Sequence, residues 1–262
     1  MRKIEDIHEV QTILLSLSKE FHKICVREQI PYTMLGGTML GAIRHKGFIP
    51  WDDDMDFGVP REYYDKLIHV LEKELPQEYR CLTYKNCEQI KYPFVKVEDC
   101  RTCIDDPRLD CQLEDKPGVN IDIFPIDYCN PNSLQLILVY FLLRLQTVIF
   151  LESTSKSKTK KIIKHFLRRI TPFSRDYLIK HVESLCSVVK QSDCMANLLG
   201  RWKERELFHP TIYLTTKEYD FEGIRLLGID DYQTFLSQVY GDYMKLPPIE
   251  ERQSHMDNVY VR

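Results

Sequence analysis

Residues 52–59 read Asp-Asp-Asp-Met-Asp-Phe-Gly-Val, and few folds can accommodate such a run. On a strand, positions i and i+2 share a face and lie about 6.7 Å apart. Asp54 and Asp56 then project together, while Met55, Phe57 and Val59 enter a core on the other face. Two bare carboxylates ~6 Å apart repel by roughly 3 kcal/mol at an effective dielectric of 20. A solvated acidic loop avoids that cost, but the interleaved apolar residues call for burial. The run therefore predicts a strand, ending near Val59, that offers two acids to a divalent cation. Hard oxygen ligands at this spacing suit Mg²⁺ or Mn²⁺ bridged to phosphate. An EF-hand calcium loop is excluded, because counted from Asp52 its sixth residue would be Phe57 instead of glycine and its twelfth Tyr63 instead of glutamate.

A third carboxylate is needed to orient an attacking oxygen or to hold a second metal. Asp122, between Ile121 and Ile123, is the leading candidate, since a charge among isoleucines needs a partner. Its alternative is an acid satisfied by backbone or by Arg44, and Asp127 is then the fallback. Upstream, Gly36-Gly37-Thr38 follows a short strand over 32–35. Thr38 is the expected N-cap of a short helix, and the backbone N–H groups there make a seat for phosphate. The stretch is not a Walker loop, because Gly41 is followed by Ala42 and Ile43.

Around these motifs, three- and four-residue spacing from Ile4 through Ile24 predicts an amphipathic helix over 4–25. A second helix is predicted over 61–75, strands over 94–98, 119–124 and 221–227, and a helix over 231–240. Strands interleaved with helices give an α+β core. The chain divides into a catalytic core over 1–130, a helical insertion over 131–200, and a segment over 201–262 that completes the core and the donor site.

A net charge of −3 implies no nucleic-acid partner, and the charged start MRKIEDIHEV predicts no secretory signal. Nine cysteines in that setting are read as reduced thiols of a cytoplasmic protein. Cys100 and Cys103 form a C-x-x-C, but with Cys111 and Cys129 the spacing is too irregular for a zinc site. Residues 134–151 form an apolar run about 27 Å long as a helix, close to bilayer thickness. Arg144 near its middle would cost roughly 2.5–3.5 kcal/mol, which argues against spanning. Residues 156–175 carry eight Lys or Arg and no acid. Lys160, Lys161, Lys164 and Arg168 oppose Ile162, Ile163, Phe166, Leu167 and Ile170, the pattern of a helix lying on the inner face of an anionic membrane. A core helix with a solvated basic face gives the same pattern.

A strand, a Gly-Gly turn, a short helix and a strand carrying Asp-x-Asp together resemble the LicD family of the nucleotidyltransferase-fold superfamily, which includes fukutin and fukutin-related protein. The matching stretches are Leu35–His45, Gly47–Asp56, Asn120–Pro125, Tyr240–Met244, Pro247-Pro248, Arg252 and His255. Residues 131–200 match least. The resemblance implies a nucleotidyltransferase-like mixed sheet flanked by helices, with Asp54, Asp56 and Asp122 as catalytic and metal-binding acids. It implies transfer of a phosphate-linked small alcohol, such as phosphocholine, from a CDP-activated donor to a cell-surface glycan. Gly36, Gly37, Thr38, Arg44, His45 and Lys46 are the expected donor-phosphate contacts, and Tyr243, Arg252 and His255 the C-terminal ones. A solvent-facing basic turn is the plain alternative for residues 44–46. The same three acids would also serve nucleotidyl transfer with loss of pyrophosphate. A third reading is a membrane-surface adaptor without catalysis, against which the intact acids count.

Overall fold

The computed structural model describes residues 1–109, 111–150, 166, 169, 173–252, 254 and 258–262. The basic face at Lys160, Lys161, Lys164 and Arg168, and His255, lie outside the described residues.

Helix α1 (Ile7–Arg27) starts at Asp6, whose carboxylate accepts from His8 N–H, and buries Val10, Leu14, Leu17, Phe21 and Ile24. It begins three residues later than the periodicity predicts, because Ile4 belongs to strand β1 (Arg2–Ile4). Strand β2 (Thr33–Met34) leads into helix α2 (Gly36–Arg44). Strand β3 (Asp56–Pro60) passes directly into helix α3 (Arg61–Glu74). Then come β4 (Tyr79–Leu82), β5 (Val95–Asp99), β6 (Thr102–Asp105) and the long β7 (Asn120–Tyr128). Helices α4 (Leu134–Phe150) and α5 (Arg175–Cys186) precede β8 (Met195–Ala196). The C-terminal part holds α6 (Pro210–Leu214), β9 (Thr216–Phe221), β10 (Ile224–Ile229), α7 (Tyr232–Tyr240) and β11 (Asn258–Val261).

The main sheet runs β4-β5-β7-β3-β2-β10-β9, with β8 added at the end of β7. It is mixed: β3 and β7 are parallel, while β5–β7, β2–β3 and β9–β10 are antiparallel. A small antiparallel sheet, β1-β11-β6, brings the two ends of the chain together. The fold is α+β. The single strand expected over 221–227 is instead a hairpin, because Glu222 and Gly223 take positive φ and turn the chain between β9 and β10. Met55, Phe57 and Val59 are fully buried, as the alternation requires, and Phe57 packs against Phe21 of α1.

Between residues 131 and 200, α4 packs on α5, and β8 pairs with Asp127 and Tyr128 of β7. Among the described residues no helix is long and apolar enough to cross a membrane. Cys129 lies against Cys194, with the sulfurs 3.7 Å apart, away from Cys100 and Cys103.

Candidate active site

Strand β3 begins at Asp56, so only this acid of the run sits on the strand. The expected strand through Asp54 is shorter because Thr38 Oγ1 accepts the Asp56 N–H at 2.8 Å, and the ladder starts there. Thr38 is therefore not an N-cap. Leu35 holds the cap position, and α2 begins at Gly36. Residues 52–54 form an extended approach to the strand, anchored where Gln11 Nε2 of α1 donates to Asp52 O at 2.9 Å.

Register assembles the rest. Asp122 on β7 stands opposite Asp56 on one neighbour and opposite Lys96 of β5 on the other. Lys96 Nζ donates to Asp122 and, at 3.0 Å, to Asn120 Oδ1. The partner of Asp122 is thus Lys96, not Arg44 or backbone. Asp127 lies an odd number of residues further on, facing the opposite side of the sheet. It is 1% exposed and held by both Arg61 nitrogens at 2.7 Å, so it is not the third site acid.

The glycines at the start of α2 are required by close approach. Gly36 has φ +48°, and a Cβ there would lie 3.1 Å from Asp56 Oδ2; one on Gly37 would lie 2.7 Å from Asp52 Oδ2. The positive end of α2 thus abuts two carboxylates. Burial, then the charges of Asp54, Asp122 and Asp52, push the Asp56 carboxyl well above its ordinary value. Burial, then Asp54 and Asp53, push Asp52 up to about 8. Negative charge exceeds what Lys96 can balance, and the donors are hard oxygens. That chemistry fits Mg²⁺ or Mn²⁺. Among the described residues, no three Asp, Glu, His or Cys side chains already close around a cation. Asp122 in particular is engaged by Lys96 and must turn from it to become a ligand.

Two hollows adjoin residues 51–54, one taking in Trp51 and the other Asp53 and Asp54. On the α2 side, a cleft of about 420 Å³ is lined by Leu40, Arg44, Trp51, Tyr240, Tyr243 and Pro248. Arg44 Nη1 donates to Tyr243 O at 2.9 Å, and the Arg252 guanidinium lies 5.4 Å over the Trp51 ring. His45 is held below its ordinary pKa by partial burial and by Arg44. Lys46 is exposed in a positive-φ turn, and its carbonyl accepts from Glu222 N–H, so its recorded contact is with the β9–β10 hairpin. On the β5–β7 side, a cavity of about 340 Å³ takes in Asp53, Asp54, Lys96, Asn120 and Asp122. Lys96 faces the site from outside the sequence motifs, and Tyr240 lies in the matching stretch Tyr240–Met244 without a role assigned to it there. A lysine alternating with Val95 and Val97 was the available signal for Lys96.

Over residues 29–174 the chain matches the family described as LicD/FKTN/FKRP, nucleotidyltransferase domain. It is 32% identical, over 97% of both chains, to the lipopolysaccharide cholinephosphotransferase LicD of Haemophilus influenzae. The chain belongs to the LicD family. It is a LicD-type phosphotransferase. Shorter similarities link it to an uncharacterized protein of Rickettsia prowazekii, 39% identical over 35% of this chain and 31% of that one. Another, from Rickettsia typhi, is 33% identical over 46% of this chain and 36% of that one. The family match takes in α2, β3 and β7.

Proposed function

We propose that this protein transfers a phosphate-linked small alcohol, phosphocholine in the first instance, from a CDP-activated donor to a hydroxyl of a cell-surface glycan. One observation carries the reading: Asp54 and Asp122 both act on the charge of Asp56 and both line one cavity, in a chain alike along nearly its whole length to a lipopolysaccharide cholinephosphotransferase. Magnesium or manganese on these acids would neutralise the diphosphate and the departing CMP. Arg44, Trp51, Tyr243 and Arg252 provide an aromatic wall and cations for the nucleotide and its phosphates. The glycan hydroxyl attacks phosphorus in line, the bond to the CMP oxygen breaks, and the proton passes to a carboxylate of the run. The reaction sits at the cytoplasmic face of the membrane, where a lipid-linked glycan and a nucleotide donor meet.

The test is product identity. Purified protein with Mg²⁺, CDP-choline and lipopolysaccharide is expected to release CMP and label the glycan with choline. Pyrophosphate formed from CTP, with no turnover of CDP-choline, CDP-glycerol or CDP-ribitol, would replace this reading with nucleotidyl transfer.

A further inference from the structure

The cavity beside β5 and β7 is separate from the cleft that holds the nucleotide contacts, and its lining differs in kind. The cleft is walled by α2, the end of α7 and the chain after it, the cavity by β5, β7 and the segments 89–94 and 104–109, and the two share no lining residue. In-line displacement at phosphorus requires the leaving group and the attacking oxygen to stand on opposite sides of it. With CMP toward Arg44 and Trp51, the cavity that Asp54 and Asp122 line is the hollow left for the attacking hydroxyl.

We propose that this cavity is the acceptor site and receives a sugar unit of the glycan, stacked on Tyr92, with its reactive hydroxyl directed at the acids of the run. The proposal rests on the phosphoalcohol-transfer reading and adds the location and class of the second substrate.

Four observations support it. Tyr92 and Phe94 stack at an interplanar angle of 11° with centroids 5.5 Å apart, and Tyr92 is half-buried. A flat aromatic face of this kind takes the apolar C–H face of a sugar ring, whose hydrogens meet the negative π-face. Gln89 and Asn120, with the Lys91 ammonium, place amide and cationic groups among apolar walls, the mixture that orients a hydroxylated ligand. Asp53 and Asp54 face the same cavity, so the proton leaving the sugar hydroxyl has a carboxylate on its own side as the O–P bond forms and the P–O bond to CMP breaks. The small sheet adds Ile104 of β6 and Val259 of β11 to the lining, apolar surface for the C–H face of a sugar.

The competing occupant is the alcohol of the donor itself, such as choline. The cavity argues against it. The Lys96 ammonium sits 5.4 Å over the Phe94 ring and Lys91 adds a second positive charge, so a quaternary ammonium here would meet like charge.

The experiment separates acceptor from donor recognition in the full-length protein with Mg²⁺. Acceptor KM is measured with deacylated lipopolysaccharide oligosaccharide at saturating CDP-choline, and donor Kd by calorimetry. Loss of one aromatic stack is worth about 1.4 kcal/mol, so Tyr92→Ala is expected to raise acceptor KM about tenfold while donor Kd stays within twofold. Tyr92→Phe keeps the ring face and should restore KM. Gln89→Ala, which removes an amide that also accepts from the Cys87 thiol, should raise acceptor KM alone. A Tyr92→Ala protein with unchanged acceptor KM, or with altered donor Kd or altered preference among CDP-choline, CDP-glycerol and CDP-ribitol, would overturn the assignment. Failure of the underlying reading shows separately, in the wild type, as no CMP from any CDP donor, and it would remove this inference as well.

Discussion

Asp56 sits in a crowd of acids. Its carboxyl lies beside three others, and the nearby Lys96 is bound to Asp122. Folding without a cation must overcome that crowding, so the acid is retained against stability. Asp56→Asn removes the charge and keeps the shape. Its melting temperature is expected to equal or exceed that of the wild type in metal-free buffer, while turnover falls to background. Thermal unfolding and CMP release measured on one preparation decide it. A variant that turns over normally would remove Asp56 from the catalytic set. The lysine is equally instructive at this scale, because an ammonium on Asp122 balances part of the charge that the metal reading assigns to a cation.

At the scale of elements, the site is made by three strands and one helix end that meet edge to edge. Thr38 in α2 sets the first residue of β3, and the parallel pairing of β3 with β7 then puts Asp56 beside Asp122. The C-terminal helix α7 contributes Tyr240, braced edge-on by Trp202 at 5.2 Å. The turn holding Trp202 depends on Glu206, which is 3% exposed and accepts from Trp202 N–H at 3.3 Å. Burial raises the Glu206 carboxyl to about 7 from an ordinary 4.5. An acid whose folded value is raised stabilises the fold below its unfolded value, and that stability is lost as pH rises through the folded one. The window is therefore pH 4.5 to 7, and the loss is on the order of 3 kcal/mol. Glu206→Gln should equal the wild type near pH 4.5 and exceed it in stability above pH 7. Denaturant unfolding of both proteins across that range measures the difference, and two parallel curves would refute the assignment.

At the scale of the whole molecule, α4 presents Leu134, Ile137, Phe141 and Val148 to solvent, one stripe at helical spacing. In sequence this helix leads into the basic stretch 156–175. An anionic membrane is the surface that complements both features. The protein is expected to sediment with vesicles containing phosphatidylglycerol and to be released by salt. Four charges near the surface contribute about 4 kcal/mol at most, enough for reversible association. Changing Lys160, Lys161, Lys164 and Arg168 to Gln should abolish sedimentation and spare turnover of a soluble acceptor fragment. Sedimentation that survives the change would exclude the electrostatic contact.

The sequence alone determined the local grammar of this protein. Alternation of acid and apolar residues required Met55, Phe57 and Val59 to be buried, and periodicity located α1 and α3 to within a few residues, because those signals depend only on neighbours along the chain. The long motif at residues 35–56 pointed to the family. Tertiary structure decided what pairs with what. That Asp122 meets Lys96, that Asp127 belongs to Arg61, and that Tyr240 reaches the acids from near the other end of the chain all follow from strand register and order. Register is fixed by the summed packing of the whole sheet, and a one-residue slip would turn each side chain to the other face. No stretch of sequence read by itself contains that sum.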